Sequence, residues 1–158
     1  MLFTDPDRRF SVKFPKDWRW MMVSGSGEPI ATFVHPKSEA AVVVERFQLK
    51  VKLAPGDIDE VFGQAEADRM KELQPKASGV ISRVTTRQGS PVIVLDYERP
   101  AIDSKSVERV RQYSYQVSGD LYRVTCFSLE GNFARYEPTF VGIAESLTSA
   151  AQLGSTPQ

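Results

Sequence analysis

A chain of 158 residues at 17.7 kDa is long enough to bury a core of its own without disulfide staples. Its twenty basic and twenty acidic residues cancel, which removes the basic excess expected of a nucleic-acid binder or a polybasic membrane anchor. A lone cysteine, Cys126, excludes an intrachain disulfide and a cysteine-rich zinc site, and no apolar run reaches transmembrane length.

Phe10, Val12 and Phe14 alternate with Ser11 and Lys13, the period of a half-buried strand over 9–14. Pro15 cannot donate to a ladder, so a turn through Lys16 and Asp17 follows, and Trp18 opens a second strand over 18–24. The segment Ser24-Gly25-Ser26-Gly27-Glu28-Pro29 reads as a flexible turn before strands over 30–35 and 40–49. Ala41 to Val44 is apolar on both faces, which puts the fourth strand in the middle of a sheet. Pro55-Gly56 breaks the pattern, and Asp57-Ile58-Asp59-Glu60 has the form of a helix N-cap. The spacing predicts a helix over 57–73 with Ile58, Val61, Phe62, Ala65 and Leu73 on its apolar face, and Asp59, Glu60, Glu66, Asp68 and Lys71 mostly elsewhere.

Strands over 79–88 and 91–98, joined at Gly89-Ser90, and over 106–117 and 121–129, joined at Ser118-Gly119-Asp120, form an antiparallel meander. Pro138 suits a first helical turn, and Phe140, Ile143, Ala144, Leu147 and Ala151 keep helical spacing over 138–151. The polar tail 154–158 is expected to be disordered. The reading is one α+β domain over 1–153: an α/β/α sandwich whose mostly antiparallel sheet is flanked by two amphipathic helices.

The opening Phe10-x-x-x-Phe14-Pro15-x-x-Trp18 resembles that of the Mog1/PsbP-like superfamily, which includes PsbP-related and DcrB-like bacterial domains. Gly119 to Phe127 is similar to the last long strand of such domains, and Tyr136-Glu137-Pro138-Thr139-Phe140 to Leu147 to their closing helix. These are packing and turn residues rather than a site. The resemblance implies the same sandwich and a protein that acts by binding, with no shared catalytic set; no cofactor is expected. It also leaves the compartment open: cytoplasmic if Met1 is the native start, periplasmic or lipoprotein-derived if a signal has been removed.

Few residues offer chemistry. His35 is the only histidine, and a hydrolase would have to work through it, yet no nucleophile elbow accompanies it. Ser24 to Gly27 lacks the Lys-Ser/Thr of a phosphate loop. Asp57, Asp59 and Glu60 suit the positive end of a helix better than calcium, and Cys126 reads as a buried, inert thiol. Two binding surfaces stand out. Trp18 and Trp20 share a strand face beside Met21 and Met22, a combination that can take up a hydrophobic ligand or a partner helix. Arg109 and Arg111 share a face with Tyr113 and Tyr115, with Arg83, Arg87 and Arg123 nearby; it can read an acidic partner, or be a solvated face neutralised by Asp96, Glu98 and Glu108. The functional expectation is a non-enzymatic binding or accessory domain for a protein partner or hydrophobic ligand. The alternative is a cytosolic adaptor or chaperone for a secreted effector.

Overall fold

The computed structural model describes residues 1–23 and 28–149. Ten strands and two main helices run in the order β1 (Leu2–Thr4), β2 (Phe10–Lys13), β3 (Arg19–Val23), β4 (Ile30–Val34), β5 (Ala40–Phe47), α1 (Glu60–Leu73), β6 (Ser78–Arg87), β7 (Ser90–Pro100), β8 (Val107–Val117), β9 (Asp120–Leu129), α2 (Phe133–Ser146) and β10 (Thr148–Ser149). Seven strands form one sheet in the order β3-β4-β5-β9-β8-β7-β6, every neighbouring pair antiparallel, and β1-β2-β10 form a second, small sheet. This is the α/β/α sandwich read from the sequence, with the small sheet sharing the α2 layer.

Two hairpins organise the meander. Gln88 and Gly89 both have positive φ, as do Ser118 and Gly119, so each is a two-residue turn whose twist matches its strands. Gly119 is required twice over, because a Cβ there would come 2.7 Å from the Lys52 Cβ.

Both helices depart from expectation. A short 3-10 turn, Pro55–Asp57, precedes α1; the Asp57 carboxylate accepts from the Ala54 N–H at 2.8 Å, and the true N-cap is Asp59, accepting from Phe62 N–H at 2.9 Å. The buried stripe of α1 is Gly63, Glu66, Ala67 and Met70, whereas Val61, Ala65 and Leu73 point to solvent. Gly63 sets this rotation: a Cβ there would lie 2.9 Å from Ser82 Oγ and 3.1 Å from Ile93 Cδ1, so the helix rests directly on β6 and β7. The second helix starts at Phe133 rather than 138 and ends at Ser146, and Pro138 lies inside it. Proline is tolerated there because Pro138 and Ala134, whose carbonyl it leaves unpaired, are both on the exposed side. Ser146 stops the helix by donating to Ile143 O and accepting from Lys13 N–H, each at 2.8 Å, and the chain then pairs with β2. Ala151, the tail 154–158 and Ser24 to Gly27 lie outside the described residues.

Two cores result. The larger, beneath α2 and the small sheet, holds Phe10, Phe33, Val42, Val124, Phe133 and Phe140. The smaller, beneath α1, holds Ile58, Met70, Ile93, Leu95, Tyr97 and Val110.

Candidate functional site

β4 and β5 alternate between sealed and open residues. Ala31, Phe33, Val42 and Val44 are buried, while Thr32, Val34 and Val43 between them are half-buried. The sealed set faces α2 and the small sheet. The open set faces the α1 side, but α1 lies over β6 and β7 and leaves β3, β4, β5 and part of β9 bare. Met21 and Val23, at the edge of this bare face, are 51% and 52% exposed. Cross-strand pairing aligns Met21 with Thr32, Val43 and Thr125, and Val34 with Ala41 and Phe127. A shallow, mainly apolar hollow of about 660 Å³ continues the face, with Ala41, Ile102, Phe127 and Leu129 in its walls.

The tryptophan-methionine group is thus divided between the two faces. Trp18 is buried edge-on against His35 and Tyr136. Trp20 packs edge-on to Phe3 at 5.0 Å and is half exposed at the margin of the main core. Met22 packs against that same core, and Met21 alone points to the bare face.

The arginine-tyrosine face is the seat of α2. Tyr115 is buried and donates to Ala144 O at 2.9 Å; burial pushes its pKa up, against the lowering influence of Arg87. Arg111 is buried, with Nε donating to Asp96 at 2.8 Å and Nη1 to Glu137 at 3.0 Å. Burial alone would lower its pKa, and these two bonds more than offset that, so it stays charged. Arg109 stacks over Phe133 with its guanidinium 4.5 Å from the ring centre. Arg87 donates to the carbonyls of Ala144, Glu145 and Leu147, gripping the negative end of α2. Of the neutralising acids expected, Asp96 serves this face, meeting Arg111 and, at 3.7 Å, Arg83; Glu108 instead pairs with Arg99 on the other side. Arg123 also belongs to the other side, because it pairs with Ser114, one residue out of phase with Tyr115. What remains open is a groove of about 270 Å³ onto which Arg83, Tyr113, Glu137 and Val141 face.

On the α1 side a second polar feature stands where the sequence showed none. Arg123, 4% exposed, donates from Nη2 to Glu66 at 2.6 Å, and its guanidinium stacks on Phe47 at 4.7 Å. The Gly63-Glu66-Ala67-Met70 spacing was present in the sequence, but Gly and Glu carry no apolar signal, so the stripe was invisible to hydrophobic periodicity.

His35 is bonded on both nitrogens. Nδ1 accepts from Lys37 N–H at 3.1 Å, and Nε2 lies 3.2 Å from the Tyr136 hydroxyl, which donates to Glu39. The tautomer that satisfies all three bonds carries its proton on Nε2, so the ring donates to the hydroxyl and cannot take its proton. The Glu39 bond, first, and burial both raise the Tyr136 pKa, the wrong direction for a nucleophile. Cys126 is fully buried and burial drives its thiol pKa up; its cross-strand neighbour Arg111 opposes this but is already committed to two carboxylates. Among the described residues no three His, Cys, Asp or Glu side chains could together hold a metal ion, and no helix is long and apolar enough to cross a membrane.

No family model matches the chain, and no curated protein does. Solved structures do. The Ran-binding protein Mog1p of Saccharomyces cerevisiae superposes with a TM-score of 0.61 at 7% identity, covering 95% of each chain. The cyanobacterial PsbP (CyanoP) of Synechocystis superposes with a TM-score of 0.59 at 13% identity, over 94% of this chain and 91% of that one. A protein from Bacteroides thetaiotaomicron gives 0.61 at 12% identity over 94% of this chain; the chain spans 47% of that protein's length. The chain has the Mog1/PsbP-like fold.

Proposed function

We propose that this chain is a non-enzymatic binding domain that engages a protein partner through the bare half of its large sheet. The observation that carries this reading is the alternation along β4 and β5. Their hydrophobic residues on one face are sealed, and those on the other, Ala41 excepted, are half-buried beside the exposed Met21 and Val23, over an area to which α1 does not extend. Exposed apolar residues grouped on one sheet face favour an interaction site. Arg19 and Glu45 border the face and would supply orientation rather than affinity. The Ran-binding activity in the name of Mog1p is a protein-binding role on the same fold. The bonding of His35 supports a non-catalytic reading, since the Tyr136 hydroxyl beside it already donates to Glu39.

The test compares wild-type chain with Met21→Glu as affinity baits, followed by reconstitution with purified candidates. A partner that binds the wild type, and binds the folded variant at least about tenfold more weakly, supports the reading. Partners bound equally by both place the docking surface elsewhere.

A further inference from the structure

β6 closes one end of the large sheet, and among the described residues β7 is the only strand that pairs with it. From Ile81 to Arg87 that ladder is unbroken, the one irregularity lying between Ser78 and Ile81. The turn fixes which way each backbone group points. In a two-residue hairpin the flanking residues, here Arg87 and Ser90, exchange both hydrogen bonds, and bonded and non-bonded pairs alternate from there. Arg87, Thr85, Arg83 and Ile81 therefore bond β7, while Thr86, Val84 and Ser82 turn their N–H and C=O groups away from it. The Ser118-Gly119 hairpin sets the same phase independently. It leaves Ser114, Gln112 and Val110 to bond β7, and their partners Ile93, Leu95 and Tyr97 are the β7 residues that β6 does not use. Sheets usually protect such an edge with proline, lysine, a bulge or a covering element. β6 contains neither proline nor lysine, and Val84 and Thr86 are exposed along its edge.

We propose that β6 takes up an extended acidic segment of a partner protein as one more strand, antiparallel like every other pair in the sheet. Main-chain bonds to Ser82, Val84 and Thr86 supply the affinity, and side chains on alternate faces supply the choice of partner. On the α2 face Arg83 is the open charge. Its side chain is 51% exposed, and Asp96, 3.7 Å away, is held more closely by Arg111 at 2.8 Å. Arg87 follows two residues on, and β6 itself contributes no acid. The acids across the 270 Å³ groove belong to α2: Glu137, which bonds Arg111, and Glu145, whose backbone carbonyl accepts from Arg87. Partner residues opposite Thr85 and Arg83 fall at the close, non-hydrogen-bonded positions, where opposite charges attract and like charges repel most. On the α1 face Val84, 42% exposed between Ser82 and Thr86, suits β-branched residues. A second copy of the chain fits worse. Pairing β6 with itself about Val84 sets Arg83 diagonal to its own counterpart, with no acid between them. The edge lies at the opposite end of the sheet from β3, so it does not depend on the docking face proposed above.

NMR titration of the isotope-labelled whole chain with the acetylated, amidated peptide Thr-Val-Glu-Val-Glu-Val-Thr tests this. Laid antiparallel along β6, its glutamates fall opposite Thr85 and Arg83 and its valines opposite Thr86, Val84 and Ser82. Binding in the millimolar range or tighter is expected, with the amides of Ser82, Val84 and Thr86 shifting and gaining protection from exchange. Lysine in place of both glutamates should weaken binding at least about tenfold, and Arg83→Glu should reverse that preference. N-methylation of the valines, whose N–H groups face β6, should abolish binding, whereas N-methylation of the glutamates should leave it measurable. Val84→Pro removes an outward donor without touching the β7 ladder, so this variant should melt as a folded chain and fail to bind. Unshifted β6 amides in the folded wild type at millimolar peptide, or equal binding of the glutamate and lysine peptides, overturns the proposal. So does a chain that is dimeric in solution until Val84→Pro makes it monomeric, because the edge then belongs to a second copy.

Discussion

The two faces of the large sheet start from the same strands and end differently. Val42 and Val44 of β5 are fully buried under α2 and the small sheet, while Val43 between them meets solvent on the α1 side. One face is a closed core rich in aromatic rings: Phe10, Phe33, Phe133 and Phe140 are each at most 1% exposed. The other carries a helix over one end, a buried ion pair at that helix's margin and bare apolar strands beyond it. The contrast teaches that both faces bury a core, the closed one across its whole width and the other only as far as α1 reaches.

Substitutions can break or sharpen that contrast. Phe140→Ala on the closed face should cost about 3–5 kcal/mol in urea unfolding, whereas Leu73→Ala on α1 should stay within about 0.5 kcal/mol. Comparable losses would erase the distinction. Arg123→Met should cost about 3 kcal/mol because buried Glu66 loses its close partner and keeps only Arg69, 3.9 Å away, and adding Glu66→Leu should recover most of it. Additive losses in that double-mutant cycle would mean that the two side chains do not depend on each other. Arg87→Ala should cost about 1–3 kcal/mol by releasing the carbonyls at the end of α2, visible as faster amide exchange in β10, which follows it. Protection there equal to wild type would show that Arg87 is not the clamp.

A smaller effect concerns acid. Burial raises the Asp5 pKa, but hydrogen bonds from the Arg9 side chain and backbone outweigh it and hold the carboxyl below its usual value; Lys52 and Arg46 do the same for Asp120. With folded values depressed, the unfolded chain takes up protons first as pH falls. Their contribution is therefore complete above the ordinary carboxylate range, near pH 4, and drains away below it. Denaturant midpoints should fall through that range, and less steeply in Asp5→Asn. An acid limb unchanged in Asp5→Asn would show that Asp5 contributes nothing to it. Smallest of all, Met21→Glu should alter stability by no more than about 0.5 kcal/mol. A larger loss would place Met21 in the core rather than on a bare face.

Much of the fold was legible because its signals are local. The alternation in Phe10-Ser11-Val12-Lys13, the Gly89 and Gly119 turns and the Phe140-Ile143-Ala144-Leu147 spacing each follow from neighbours a few residues apart. β1 and β10 were missed because three and two residues are too short to show a period. The start of α2 was misplaced because Pro138 obeys a first-turn preference, while the absence of a cost at an exposed interior position depends on what surrounds the helix. The binding candidates were read less well. Alternation correctly put Arg109, Arg111, Tyr113 and Tyr115 on one face, but it carries no information about which layer lands there, and α2 does.

By itself, then, the sequence determined the longer strands, the turns, the existence of two helices and the sandwich that buries them, since each follows from local pattern and backbone preference. Only the tertiary structure decided which sheet face is sealed and which is bare, that Met21 and Met22 part company, and that Glu66 meets Arg123 under a helix 57 residues away in the chain. Those outcomes depend on how far each covering helix reaches across the sheet, a property of packing distances such as the close rest of Gly63 on Ile93. No window of neighbouring residues contains them.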